Sequence, residues 1–171
     1  MLKRFYNLEV FFKDNYRRIS VREYARIAKI SAPTASKLLQ GYFKENLLKK
    51  EEDRNYIYYY ANRESSLFIG FSRIYWQNEL EKSGFIEYLE NNLITPVIIL
   101  YGSLSKAETK ADSDIDIAVF TVSRRNLDLT KYEKKLKRDI QLFIYKSRND
   151  VKNKKMLNNI LNGHKIRGSW Q

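Results

Sequence analysis

Cysteine is absent from this chain, so disulfides, zinc-finger ligands and thiol nucleophiles are excluded. Histidine is reduced to one residue, His164, which removes any histidine-cluster metal site. A divalent metal would have to rest on carboxylates, and that selects a hard ion such as magnesium. No apolar run reaches the ~18 residues of a membrane span. The N-terminal Met1-Leu2-Lys3-Arg4-Phe5 lacks the apolar stretch of a signal peptide. A cytoplasmic protein with no membrane contact is expected. Internal repeats and low-complexity linkers are also missing.

What is present is a chain of 171 residues, long enough for one ordinary domain or two small ones. Hydrophobic residues make up 43%, which argues against wholesale disorder. The 13 tyrosines and 9 phenylalanines fit a core and equally fit base stacking. The formal charge of +12 points to a polyanionic partner, nucleic acid first, with a lysine-rich solubilising surface as the plain alternative. Over residues 1–62, 13 Lys and Arg stand against 7 Asp and Glu, and the remainder is equally basic, so charge singles out neither half.

Apolar spacing predicts a helix over 3–14, from Phe5, Leu8, Phe11 and Phe12. Ser20-Val21-Arg22-Glu23 reads as a capping box opening a second helix to about Lys29. Ser31 or Ala32 caps a third helix, with Pro33 in its first turn, running to about Glu45. Ala35, Leu38, Leu39, Tyr42 and Phe43 form its expected inner side. Leu47–Lys50 and Tyr56–Tyr60 flank a polar turn and predict a hairpin. Asn62 is the expected cap of a long helix over about 63–82, broken by Ser83-Gly84 and followed by a helix over 85–93.

The second half alternates strands and helices. Val97–Tyr101 is a continuous apolar run, the sign of a strand covered on both faces. Ile115–Phe120 and Ile140–Tyr145 predict two more strands. Short helices are expected over 129–137 and 152–161, the latter ended by Asn162-Gly163 as a left-handed stop. The fold class is therefore α/β (α+β), with residues 1–62, a helical connector 63–95 and a domain 96–171 as its three parts.

Three helices followed by a hairpin resemble a winged helix-turn-helix domain over about residues 3–62. That resemblance implies a double-stranded DNA partner, with the third helix in the major groove. Thr34, Ser36, Lys37 and Gln40 would face base edges, and Arg22, Arg26 and Arg54 would meet phosphates. The alternative is a protein-contact module of the same shape. Winged helices often dimerise on DNA, so a homodimer stays open, although no heptad pattern argues for it.

The sharpest signal is Leu100-Tyr101-Gly102-Ser103, ten residues, then Asp114-Ile115-Asp116-Ile117. Gly102 at a strand end lets backbone amides approach a phosphate. Ser103 adds a hydroxyl and opens a helix whose N-terminus favours anions. Asp114 and Asp116, two apart on a strand, direct both carboxylates to one face, where they can share magnesium bound to nucleotide phosphates. Ser103 is then a ligand-holder rather than a nucleophile. The alternative is a polar turn between strands, but Asp116 lies between two isoleucines, where a carboxylate is costly without a nearby cation.

This pattern resembles the minimal nucleotidyltransferases of the DNA polymerase β superfamily, over about 97–168. The resemblance implies transfer of a nucleoside monophosphate, AMP from ATP or a counterpart from another NTP, to a protein or small molecule. It also implies antitoxins that modify a partner toxin. It further implies a third carboxylate on the neighbouring strand, where the register places Gln141 here. A neutral amide is neither a base nor a strong metal ligand. Asp139, two residues earlier, is the candidate substitute. Three readings follow: an active transferase with a DNA-binding arm, a DNA-binding regulator whose transferase site is degenerate or only senses nucleotide, and an RNA-directed transferase. No RNA-binding motif favours the third.

Overall fold

The computed structural model describes residues 5–123 and 125–170. Residues 3 and 4 of the expected first helix lie outside them. The described residues form two compact units, one within 1–72 and 107–111, the other within 73–106 and 112–171.

The first unit contains α1 (Glu9–Lys13), β1 (Ile19–Ser20), α2 (Val21–Ala28), α3 (Ala32–Lys44), β2 (Leu48–Asp53) and β3 (Tyr56–Ala61). It also holds the start of α4 (Ser66–Ser83). The first helix is shorter than the spacing predicts. A turn interrupts it at Asn7-Leu8, where the Asn7 carbonyl accepts a 2.8 Å bond from Tyr24 Oη. The Ser20 capping box is half-formed. Glu23 N donates to Ser20 Oγ at 3.2 Å, while the Glu23 carboxylate pairs with Arg17 instead. Ser31 caps α3 by accepting from Thr34 N.

Helix α3 turns Ala35, Leu39 and Tyr42 inward and leaves Phe43 46% exposed, against expectation. Phe43 stands one residue, a rotation of ~100°, away from Tyr42. Strands β2 and β3 pair antiparallel from Leu48↔Ala61 to Asp53↔Tyr56. The two turn residues, Arg54 and Asn55, both have positive φ, 47° and 67°, matching the mirror-image turn that suits strand twist. The two-residue β1 adds to β3 and was too short to carry a pattern. Asn62 is not the cap of α4. Its amide donates to Asn46, and Ser65 Oγ accepts from Phe68 N instead. Phe11 stacks on Tyr24 and Phe12 packs on Phe68, so aromatics fill this core. Segment 107–111 is fastened by Asn15, which bonds Thr109 N and O through its side chain and backbone amide.

The second unit contains α5 (Phe85–Asn92), β4 (Val97–Tyr101), α6 (Gly102–Lys106), β5 (Ile115–Phe120), α7 (Thr130–Leu136), β6 (Ile140–Tyr145), α8 (Lys154–Leu161) and β7 (His164–Arg167). Its sheet has the order β6-β5-β4-β7. Strand β4 runs antiparallel to β5 and β7, and β5 runs parallel to β6. The parallel pair requires a crossover, which α7 supplies. Every residue of β4 is buried, as its unbroken apolar run predicts. One face of the sheet packs Val97, Ile99, Tyr101, Ala118 and Phe120 against Ile160 of α8.

Strand β7 was not legible, because His164-Lys165-Ile166-Arg167 offers one apolar side chain. Gly163 is not a left-handed stop: α8 ends on Asn162 at φ −85°. A side chain at Gly163 would lie 2.6 Å from the Leu100 carbonyl, so the glycine permits β7 to close on β4. Among the described residues, no helix is long and apolar enough to cross a membrane.

Candidate functional site

Strand β4 ends at Tyr101, and the chain turns at once into α6 through Gly102, whose φ is +69°. A Cβ at this position would overlap Asp116 Oδ2 and lie 2.9 Å from its Cγ. Only glycine permits this approach. Ser105 Oγ donates to the Gly102 carbonyl at 3.0 Å, and Arg73 Nε donates to the Ser105 carbonyl at 2.7 Å, which fixes the turn. Ser103 lies half-buried in the first turn of α6, a helix of five residues.

Asp116 is the second residue of β5, opposite Tyr101 on one side and Gln141 on the other. Asp114 precedes the strand by one residue. Burial raises the Asp116 carboxyl above the ordinary aspartate range, and the charge of Asp114 raises it further. Burial, followed by the negative charge of Asp116, likewise raises the Tyr101 phenol. The two carboxylates, one of them half-buried, repel each other, a charge that a cation beside them would relieve.

On β6, the position that faces Asp116 is an amide. Gln141 lies directly across from Asp116, and its Nε2 donates to Asp114 Oδ2 at 2.6 Å. Asp139 is exposed one residue before β6, and its carbonyl accepts from Ile115 N at 2.9 Å. With Asp112, Asp114, Lys134, Lys137 and Arg138 it lines an open depression of about 430 Å³. Among the described residues, no group of three or more His, Cys, Asp or Glu side chains is arranged to hold a metal. Gly102, Asp114, Asp116 and Gln141 therefore come together, and Asp139 stands at the edge.

Two neighbours were not anticipated. Lys106, half-buried on α6, donates to Asn159 Oδ1 at 3.1 Å. His164 Nε2 lies 2.8 Å from Gln77 Oε1, and burial, aided by the charge of Arg73, lowers its pKa. Lys106 was readable as a cation four residues beyond Gly102; the His164 contact joins positions 87 apart and leaves no sequence signal.

Residues 84–166 match the polymerase beta, nucleotidyltransferase family. The match encloses the Gly102-Ser103 turn, both aspartates and Gln141, and supports the nucleotidyltransferase superfamily for this part of the chain. No curated protein and no solved structure matches the chain.

In the first unit, Thr34, Lys37 and Gln40 are exposed on α3 and Ser36 is half-buried. The Thr34 hydroxyl is 2.8 Å from Ser31 Oγ. Arg22 and Arg26 are exposed on α2. Arg54 is exposed at the hairpin turn, beside Glu51, Glu52 and Asp53 of β2. Arg18 pairs with Glu51 at 3.2 Å and with Asp53 at 3.4 Å, so that acidic edge is partly neutralised from within.

Proposed function

We propose that the protein binds a nucleoside triphosphate with magnesium at Asp114 and Asp116 and transfers its nucleotidyl group, AMP from ATP in the first instance, to a hydroxyl acceptor. The observation that carries this is the close approach of Gly102 to Asp116, which sets the strand-to-helix turn directly beside the paired carboxylates. Nucleotidyltransferases of this kind generally use a divalent metal and an NTP. The metal, when bound, neutralises phosphate charge and steadies the departing pyrophosphate. Asp114 and Asp116 would hold it, Gly102 and Ser103 would cradle the phosphates, and Lys106, four residues on, would add positive charge. The acceptor hydroxyl would lose its proton to a base or to water, its oxygen would attack the α-phosphorus, and the bond to pyrophosphate would break.

A second reading rests on Gln141. With an amide bonded to Asp114, the family's third acid is missing, and the domain would sense nucleotide rather than turn it over. Asp139 would have to supply the base if turnover persists. In either case, the N-terminal unit acts as a winged helix-turn-helix that binds double-stranded DNA through α3. The helix order and the exposed Thr34, Lys37 and Gln40 support this. The acceptor is a protein, such as a cognate toxin of an antitoxin pair, or a small molecule. The protein acts in the cytoplasm, and a homodimer would match a palindromic DNA site.

Incubation of the chain with α-labelled ATP, magnesium and a cell lysate tests the transfer reading. A labelled acceptor that disappears with Asp114→Asn supports it. Nucleotide binding without any labelled product favours the sensing reading.

A further inference from the structure

We propose a second site, at the opposite end of the same sheet, that takes a nucleotide unit through Trp170, Arg148 and Lys146 without a metal. Strand β5 carries Asp116 near its start and Phe120 at its end, about 14 Å apart at the usual rise per residue. Beyond Phe120, an open depression of about 810 Å³ forms, nearly twice the volume of the one beside Asp114.

Among its lining residues Trp170 joins Phe120 and Arg148. The Trp170 ring meets Phe120 edge-on at 5.0 Å, and the Arg148 guanidinium lies 4.0 Å from the Trp170 centroid. Trp170 remains 38% exposed. Nucleic-acid bases stack on aromatic rings and on guanidinium planes alike, so the exposed Trp170–Arg148 pair can take one more planar ring. Lys146 and Arg148 are exposed and form no ion pair among the described residues. Glu90 is the single acid among the lining residues, and Arg167 Nε approaches it at 3.6 Å. A planar platform beside two uncompensated cations matches a base with its phosphate. A carboxylate peptide would use the cations and leave the stack unused.

The unit can be a free nucleotide or one link of a single strand; the chemistry is shared. The test uses the full chain in EDTA, which removes metal from the aspartate pair. Of the two tryptophans, Trp76 is 2% exposed, so Trp170 reports. Titration with AMP and with a five-residue single-stranded oligonucleotide should quench fluorescence. Trp170→Leu, and Lys146→Ala with Arg148→Ala, should each weaken binding of the labelled ligands by about tenfold or more, read by anisotropy. Lys134→Ala with Lys137→Ala, which removes the same charge from the depression beside Asp114, should leave it unchanged. Tighter binding of the oligonucleotide identifies a strand, and equal binding identifies a free nucleotide. The proposal is overturned if neither ligand binds, if binding survives both sets of variants, or if a poly-glutamate peptide binds equally well.

Discussion

Gly102 and Asp116 compete for one volume: the position a Gly102 side chain would take is held by the Asp116 carboxylate. Gly102 also sits at φ +69°, a conformation that L side chains rarely adopt. The turn and the acid are thus fitted to each other, across the sheet pairing of β4 with β5.

Gly102→Ala should therefore disturb the site more than the fold. The left-handed backbone costs roughly 1–2 kcal/mol, a drop in melting temperature of about 2–8 °C for a chain of this size. The stabilisation that ATP and magnesium give the wild type by mass action should vanish, because Asp116 must move. Calorimetry with and without ligand checks both. An undiminished ligand shift in Gly102→Ala would place the nucleotide elsewhere.

Asp116 predicts a pH effect. Its folded pKa is raised, so its contribution to stability is complete below the unfolded value and is lost as pH rises through the folded one. At neutral pH with a chelator, the ionised pair with Asp114 should destabilise the fold. Asp116→Asn should then melt higher than wild type near pH 7, and the gain should shrink near about pH 4. A variant no more stable than wild type at neutral pH would contradict the cost of burying this charge beside Asp114.

Much of this site is local in sequence. Gly102-Ser103 follows an all-apolar run, and Asp116 interrupts another, so strand ends and carboxylates were legible together. The register that sets Gln141 opposite Asp116 followed from the same runs. What was hidden depends on distance. Strand β7 gains its place by pairing with β4 rather than from its own pattern, and Gly163 matters because Leu100 comes near. Asn62 read as a helix cap, yet Asn46, 16 residues away, claims its amide.

The N-terminal unit predicts a division of labour on DNA. Thr34→Ala or Lys37→Ala should lower preference for a cognate duplex more than non-specific binding, each by about 1–3 kcal/mol if it reaches a base edge. Glu51→Gln with Glu52→Gln should strengthen non-specific binding, because the hairpin loses like-charge repulsion with phosphates. Gel shifts across a salt series separate the two. If no variant changes binding, or no duplex binds at low salt, the unit makes protein contacts instead.

His164 predicts an acid-side loss. Burial and Arg73 lower its pKa below 6.5, so its neutral form is the stable one in the fold. Its contribution is complete above the unfolded value and fades as pH falls through the folded one. Between about pH 7.5 and 5.5, wild-type melting temperature should fall more steeply than that of His164→Gln. Parallel slopes would show that protonation of His164 is not linked to folding.

Turnover rests on Gln141 and Asp139. Gln141 faces Asp116 across the sheet, and its amide already donates to Asp114. An added carboxylate there can take the acceptor proton, a contribution of typically ~10²–10⁴-fold. Weak transfer is expected in the wild type, and Gln141→Asp should raise it, although the new charge beside Asp114 and Asp116 will also demand more magnesium. If Asp139 has assumed the role instead, Asp139→Asn should abolish transfer while nucleotide binding stays nearly intact. Single-turnover transfer measured over a magnesium series separates base chemistry from metal affinity. Strong wild-type activity that ignores both substitutions would mean that neither residue is the base and that the aspartate pair suffices.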